Sequence, residues 1–325
     1  MQSFDNAQDK KKLILIDGNA LLHRAYHAYP MLTNGKGEAV NAVYGFFTMI
    51  LNLIAAEQPE YFAVCFDRSK PTIRQSMYAG YHAHRPQMAD DLFSQIALID
   101  ELLERMKVPI FALDGYEGDD LIGTLAKEAQ SEKRKAKNEM IETIIVTGDR
   151  DMLQLVNKQT KVMMPGAGVI KSVLFDEKRV EEKYGVSAKQ FIDYKALIGD
   201  PSDGYPGVSG IGPKTAANLI KEYDTFENLY TKVGELPEKI GLKLATDAEQ
   251  AALAKKLATI ITDAPVRLDL TKCDTSAFDY SGLKEGFEKH NFKSLVVKLE
   301  GKFNVQAKKI AVKSDANQDM QLELL

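Results

Sequence analysis

Seven carboxylates recur at one kind of place in this sequence. Asp17 follows Leu13-Ile14-Leu15-Ile16, and Asp67 follows Tyr61-Phe62-Ala63-Val64-Cys65-Phe66. Glu117, Asp119 and Asp120 come shortly after Pro109-Ile110-Phe111-Ala112-Leu113, and Asp149 and Asp151 come after the apolar run from Ile141 to Val146. Short apolar runs that end at an acid and a turn read as buried strands of a parallel sheet, whose ligand crevice lies beyond the strands' carboxyl ends. Asp200 and Asp203 add two more acids from Gly199-Asp200-Pro201-Ser202-Asp203-Gly204, a stretch too rich in Gly and Pro for helix or strand. So many like charges cannot stay ionised together without cations. Oxygen ligands with no His or Cys pattern among them suit a hard ion, Mg²⁺ or Mn²⁺, and these carboxylates suffice for two. Two ions can activate a water on one side of a phosphorus and stabilise the oxygen leaving on the other. One acid after a strand is commonly a helix cap or turn residue, and acids at 117, 119 and 120 also suit a helix dipole. Caps do not explain the repetition over four strands.

Two further stretches suit a polyanion. From Arg68 to Pro86 the chain carries Arg68, Lys70, Arg74 and Arg85 with no acid, interleaved with Tyr78 and Tyr81. Cations for phosphates and aromatic faces for unstacked bases are what a single strand of nucleic acid requires. Gly210-Ile211-Gly212-Pro213-Lys214-Thr215-Ala216 places turn glycines before a proline at which a helix begins, with Lys214 and Thr215 in its first turn. Free N–H groups at that helix start can hold a phosphate, which reads as a helix-hairpin-helix grip on duplex backbone. His23 and His27 lie four apart but have no third partner at zinc spacing.

At 325 residues the chain has room for one large or two moderate domains. Two cysteines, Cys65 and Cys273, offer no disulfide or zinc framework, so a reducing, cytoplasmic compartment is expected. No apolar run reaches membrane-spanning length, and Met1 to Lys12 is polar, so neither signal peptide nor anchor is expected. The formal charge of −4 turns positive once the nine acids are assigned to bound cations. Helices are expected at 20–29, 42–56 and 117–132, and then at 213–222, 225–230, 248–262 and 281–290. The expected organisation is a polar leader at 1–11, an α/β metal-dependent domain at 12–180, a helical domain at 181–300 and a polar tail at 301–325.

Together these motifs resemble the 5′ nuclease (flap endonuclease) superfamily, nearest to the N-terminal 5′ to 3′ exonuclease domain of bacterial DNA polymerases I. The likeness runs over roughly residues 12 to 300. It implies an α/β fold with a mostly parallel central sheet flanked by helices, a helical arch over about 68–90, and an all-α helix-hairpin-helix C-terminal domain. It also implies that Asp17, Asp67, Glu117 and Asp119 hold the catalytic ion with Asp120 close by. Asp149, Asp151 and Asp203 would hold the second ion, with Asp200 near. The arch would pass a free 5′ strand, with Arg74, Tyr81, His82, Arg85 and Lys70 contacting it. Gly210, Gly212, Lys214 and Thr215 would hold duplex, with K⁺ at the hairpin's backbone carbonyls.

The implied activity is divalent-metal-dependent hydrolysis of DNA at 5′ flaps, nicks and free 5′ ends, and of RNA primers on DNA, in replication and repair. The expected protein is a bacterial, nucleoid-associated monomer with a DNA polymerase as partner. The chain departs from the family in two respects. Tyr81-His82-Ala83-His84-Arg85 has His82 where the family usually has lysine, exchanging a permanent charge for one that titrates near neutrality. Nothing after Gly301 resembles a polymerase, which leaves a free-standing nuclease and a domain of a longer chain both open. A toxin-like ribonuclease would share the acidic pocket but lack the arch and hairpin, and a silent DNA-holding scaffold would have lost carboxylates that are all present here.

Overall fold

The computed structural model describes residues 11–68, 71–83, 88–131, 140–166 and 168–303. Lys70 and Arg85 therefore lie outside the described residues, as do nearly all of the expected leader and all of the tail beyond Phe303.

Six strands form one sheet: β1 (Lys11–Asp17), β2 (Tyr61–Cys65), β3 (Ile110–Phe111), β4 (Ile141–Val146), β5 (Thr160–Gly166) and β6 (Gly168–Phe175). Their order is β3-β2-β1-β4-β5-β6, with every pairing parallel except β5 with β6. Parallel neighbours need crossovers, and these are helical. α1 (Gly18–Ala28) and α2 (Asn41–Glu57) join β1 to β2; α3 (Ile73–Met77) and α4 (Asp90–Met106) join β2 to β3; α5 (Gly118–Ala129) joins β3 to β4. Helices on both faces explain why the central strands carry apolar residues on both of their faces over Leu13–Ile16, Phe62–Cys65 and Ile144–Val146. Leu13, Leu15, Ala63, Cys65 and Ile145 face one core with α5, whereas Ile14, Ile16, Phe62, Val64 and Ile144 face another with α2 and α4.

After β6 the chain is mainly helical: α6 (Glu177–Tyr184), α7 (Phe191–Ile198), α8 (Pro213–Tyr223), α9 (Phe226–Thr231), α10 (Glu238–Thr246), α11 (Ala248–Ala258), α12 (Leu270–Cys273), α13 (Tyr280–Lys289) and α14 (Lys293–Lys302). The last two pack in the core of α2 and α4, where Leu283, Phe287, Leu295 and Leu299 are fully buried. Among the described residues no helix is long and apolar enough to cross a membrane. Cys65 and Cys273 are buried and not joined in a disulfide.

Three expected elements differ in extent. The strand expected over 109–113 is only Ile110–Phe111, because the chain leaves its neighbour there for a turn closed by Tyr116 N–H to the Leu113 carbonyl. The helix expected to reach 262 stops at Ala258, where Thr259 turns extended and its carbonyl, with that of Leu257, accepts from the Arg74 guanidinium. The Gly199 to Gly204 stretch, expected to be neither helix nor strand, is the tip of a ribbon of β7 (Gly199–Asp200) against β8 (Tyr205–Pro206). Gly199 adopts φ +71°, and a Cβ there would sit 2.2 Å from the Gly207 nitrogen, so the ribbon closes only through paired glycines.

Candidate metal centre and nucleic-acid interface

The sheet register brings the acids together. Ile16 pairs with both Val64 and Val146, so β1, β2 and β4 end side by side and deliver Asp17, Asp67 and Asp149 to one edge. Asp17 caps α1, accepting from Ala20 N–H at 2.9 Å through Oδ1 and from the Thr147 hydroxyl at 2.6 Å through Oδ2. Asp67 accepts from Gly118 N–H at 2.7 Å, while its own N–H donates to Asn19 Oδ1 at 2.9 Å. Gly118 permits that approach: a Cβ on it would stand 3.3 Å from Asp67 Oδ1.

This group is electrostatically frustrated. Burial, with the charges of Asp67 and Asp149, pushes the Asp17 carboxyl up to about 6. Burial pushes Asp119 well above its ordinary value, reinforced by Asp149, Asp17, Asp67 and Glu117. Asp149 is raised by burial and by Asp203, and its carboxyl hydrogen-bonds to that of Asp119. A divalent cation replaces the protons that such a cluster otherwise collects. The donor set, all carboxylate oxygen with hydroxyls behind it, fits a hard cation.

A second group lies beside it. Asp151, Asp200 and Asp203 each bring an oxygen to within 4.8 Å of the others. Lys195, buried on α7, reaches into this group: its Nζ lies 2.7 Å from Asp151 Oδ1 and contacts Asp200 Oδ2. Burial and the Asp149 charge push Asp151 up to about 7. Burial of Asp200 works in the same sense, yet the hydrogen bonds from Lys195 and Ser202 hold it below its ordinary value.

Several expected site residues are placed otherwise. Asp120 is withdrawn from the pocket: its carboxylate receives Arg74 Nη1 at 2.9 Å, Arg74 Nη2 at 2.7 Å, Ile261 N–H at 2.9 Å and Glu117 N–H at 3.2 Å. Arg74, expected to orient a strand, is 4% exposed, with its guanidinium spent on Asp120, Glu117 and two backbone carbonyls. Tyr81, expected to offer a face to a base, is buried, stacks on His82 at 4.0 Å and donates its hydroxyl to Glu117 Oε2 at 3.1 Å. His82, expected to meet a phosphate, has Nε2 3.1 Å from Asp203 Oδ1. Its N–H also donates to the Asp203 carbonyl at 2.9 Å, with φ at +57°. In this conformation the described part of the expected arch is α3 followed by turns folded down onto the acidic edge. Glu117 stays at that edge, buried and raised by burial, between Thr72, Arg74 and Tyr81.

The hairpin keeps its expected form. Gly210 is left-handed at φ +72°, Gly212 precedes α8, Pro213 opens it, and Lys214 is exposed in the first turn with Thr215 half-buried. First-turn N–H groups lack intrahelical partners and face outward for an anion. K⁺ at this turn would use the second lone pair of carbonyls that each accept one hydrogen bond. The carbonyls of Gly207, Val208, Gly210 and Gly212 accept from Gln250 Nε2, Ile211 N–H at 3.0 Å, Lys243 Nζ at 2.8 Å and Ala216 N–H at 3.0 Å.

Lys195, Thr72 and Thr147 did not stand out in the sequence. A lysine inside the apolar run Tyr194-Lys195-Ala196-Leu197-Ile198, five residues before Asp200, was the available signal.

Comparison with known proteins matches residues 12–185 to the family described as 5′-3′ exonuclease, N-terminal resolvase-like domain. Residues 186–281 match the family described as 5′-3′ exonuclease, C-terminal SAM fold. DNA polymerase I of Caldicellulosiruptor bescii is 40% identical over 290 residues, covering 89% of this chain and 33% of that protein. DNA polymerase I of Bacillus subtilis is 36% identical over 292 residues, covering 90% and 32%. The chain thus spans about a third of the length of the curated relatives it matches. Among solved structures, the T5 D15 protein co-crystallised with metal ions aligns with a TM-score of 0.63 at 18% identity, over 89% of this chain and 100% of that one. The catalytic core of Rad2 in complex with DNA substrate aligns at 0.55 and 17% identity, over 89% and 93%. These two show the same fold.

Proposed function

The chain belongs to the 5′-3′ exonuclease family within the 5′ nuclease superfamily, and from that premise we propose that it hydrolyses phosphodiester bonds in DNA bearing 5′ flaps, nicks or free 5′ ends. RNA primers annealed to DNA are included among its substrates. The observation that carries the proposal is the convergence of Asp17, Asp67, Asp119 and Asp149 at the sheet's carboxyl edge, with Asp151, Asp200 and Asp203 alongside. Fold neighbours add support: a T5 D15 flap endonuclease was crystallised with DNA and metal ions, and the Rad2 core with DNA substrate.

Glu117 and the first group would hold one divalent ion and the second group another, and ions bound there would offset phosphate charge and lower the pKa of water. The chain's own groups supply the rest. Thr147 and Ala20 N–H orient Asp17, and Gly118 N–H orients Asp67. Arg74 and Asp120 act from behind, fixing α3 and Glu117 against the end of α11. The α8 N-terminus and Lys214 bind duplex phosphate, which positions the substrate without reading its sequence. Tyr81, His82, Lys70 and Arg85 reach the 5′ strand once the segment over the acidic edge opens. The α/β unit over 12–180 carries the chemistry and the helices over 181–300 carry the grip. A DNA polymerase is a fitting partner, since the relatives are DNA polymerases I.

The test maps the cut on a 5′-flap duplex labelled at either end, with an RNA flap and a 5′-blocked flap in parallel. We expect cutting near the flap junction on both DNA and RNA, lost when the 5′ end is blocked. Cutting at random positions along single strands would refute the proposal.

A further inference from the structure

We propose that Lys195 is a built-in counter-ion that competes with the second divalent cation for Asp151 and Asp200, so that this lysine sets the affinity of that site. The inference rests on the acidic edge being a metal centre, and adds a positioning residue that chooses how readily the second ion enters. Lys195 is 6% exposed, and its Nζ lies 2.7 Å from Asp151 Oδ1 while contacting Asp200 Oδ2. Asp151, Asp200 and Asp203 each bring an oxygen within 4.8 Å of the others, so the ammonium stands where an ion bridging them would have to come.

Asp151 is the telling partner. It is 6% exposed, and its Oδ1 has charge contact with Lys195 but no well-directed hydrogen bond. Among the described residues its other oxygen accepts from the Tyr205 hydroxyl at 3.4 Å and from no other side chain. A buried carboxylate whose close partner is an ammonium takes a metal ion only in competition with that ammonium. Also facing this pocket are Asp149, whose charge raises Asp151, and two donors weaker than an ammonium, His82 at 3.1 Å from Asp203 and Ser202 on Asp200.

The first group differs. Among the described residues, the hydrogen-bond donors to the Asp17 and Asp67 carboxylates are backbone N–H groups and a hydroxyl, with no ammonium. A cation entering there displaces protons, whereas one entering beside Asp151 must also overcome or evict a fixed positive charge. The two sites therefore load in order, the lysine-guarded one last.

Mn²⁺ titration of the DNA-free full chain near pH 7.5, followed by calorimetry and by the electron paramagnetic resonance of free Mn²⁺, tests this. The wild type shows a tight and a weak class. Lys195→Met, which keeps length and removes charge, tightens the weak class by about ten-fold or more and leaves the tight class in place. Lys195→Arg retains the wild-type weak class. Melting in EDTA and in Mn²⁺ guards against misfolding: the Met variant melts lower than wild type in EDTA and gains more from Mn²⁺. A weak class that is unchanged or weaker in a folded Lys195→Met overturns the proposal while leaving the metal centre standing. Absence of any Mn²⁺ binding by the wild type overturns both.

Discussion

Arg74 and Asp120 form a two-pronged ion pair, Nη1 to Oδ2 at 2.9 Å and Nη2 to Oδ1 at 2.7 Å, which joins α3 to the start of α5. The same guanidinium donates to the Leu257 and Thr259 carbonyls, so one buried side chain ties α3, the acidic edge and the helical region together.

Breaking that knot should cost stability. Removing one partner of a buried, fully hydrogen-bonded pair strands the other charge, at about 3–5 kcal/mol. We expect Arg74→Met and Asp120→Ala each to lower unfolding free energy by that order in urea melts, and the double variant to lose much less than the sum. Mn²⁺ stoichiometry should be unchanged in folded Asp120→Asn, since Asp120 points away from the pocket.

The acidic edge should make the metal-free protein less stable as pH rises. An acid whose pKa is raised on folding binds protons in the folded state that the unfolded state has released, so stability falls as pH climbs through the folded value. Asp17 titrates at about 6 and Asp151 at about 7, against an ordinary 3.8. In EDTA, unfolding free energy should drop by a few kcal/mol between pH 5 and pH 8, since a carboxyl that stays protonated only in the folded state contributes about 1.4 kcal/mol for each pH unit crossed. With saturating Mg²⁺ the slope should flatten, because cations replace the lost protons. A metal-free protein more stable at pH 8 than at pH 5.5 would contradict this.

Gly199 should not accept a side chain. Its φ of +71° and a Cβ position 2.2 Å from the Gly207 nitrogen add strain to a backbone clash. Gly199→Ala should cost about 2 kcal/mol or more and misplace Asp200 and Asp203. Gly148→Ala, where nothing lies within 4 Å of the added methyl, is the control and should melt within about 1 kcal/mol of wild type.

Lys214 should act on duplex binding alone. As one exposed cation at a helix start, its replacement by Ala should weaken binding to nicked duplex and lower the salt slope by about one ion. The single-turnover cutting rate at saturating protein should be unchanged, whereas a fall in that rate would place Lys214 nearer the chemistry.

The sheet and its acid-tipped strands were legible because a parallel strand covered on both faces must be a short apolar run, and its carboxyl end must be a turn. The antiparallel pair β5 and β6 escaped because Thr160-Lys161-Val162-Met163-Met164-Pro165-Gly166 neither alternates cleanly nor forms an apolar block. At the site, residue type and position revealed which acids reach the edge but not where each points. Asp119 and Asp120 are neighbours on α5, yet successive helical residues diverge, so one joins the cluster and the other meets Arg74. Arg74 and Tyr81 were read by composition as exposed strand contacts. Their burial depends on carbonyls and carboxylates contributed from residues 117 to 259, which no local pattern reveals.

The central claim is that the carboxylates at this sheet edge drive divalent-metal hydrolysis of DNA. Its most direct test is single-turnover cleavage of a 5′-flap duplex by wild type and Asp17→Asn in Mg²⁺ and in EDTA, with binding followed by fluorescence anisotropy in the same samples. We expect wild type to cut only with Mg²⁺, and Asp17→Asn to bind within a few-fold of wild type while cutting at least about 100-fold more slowly. Cutting that survives EDTA, or an Asp17→Asn rate equal to wild type, would contradict it.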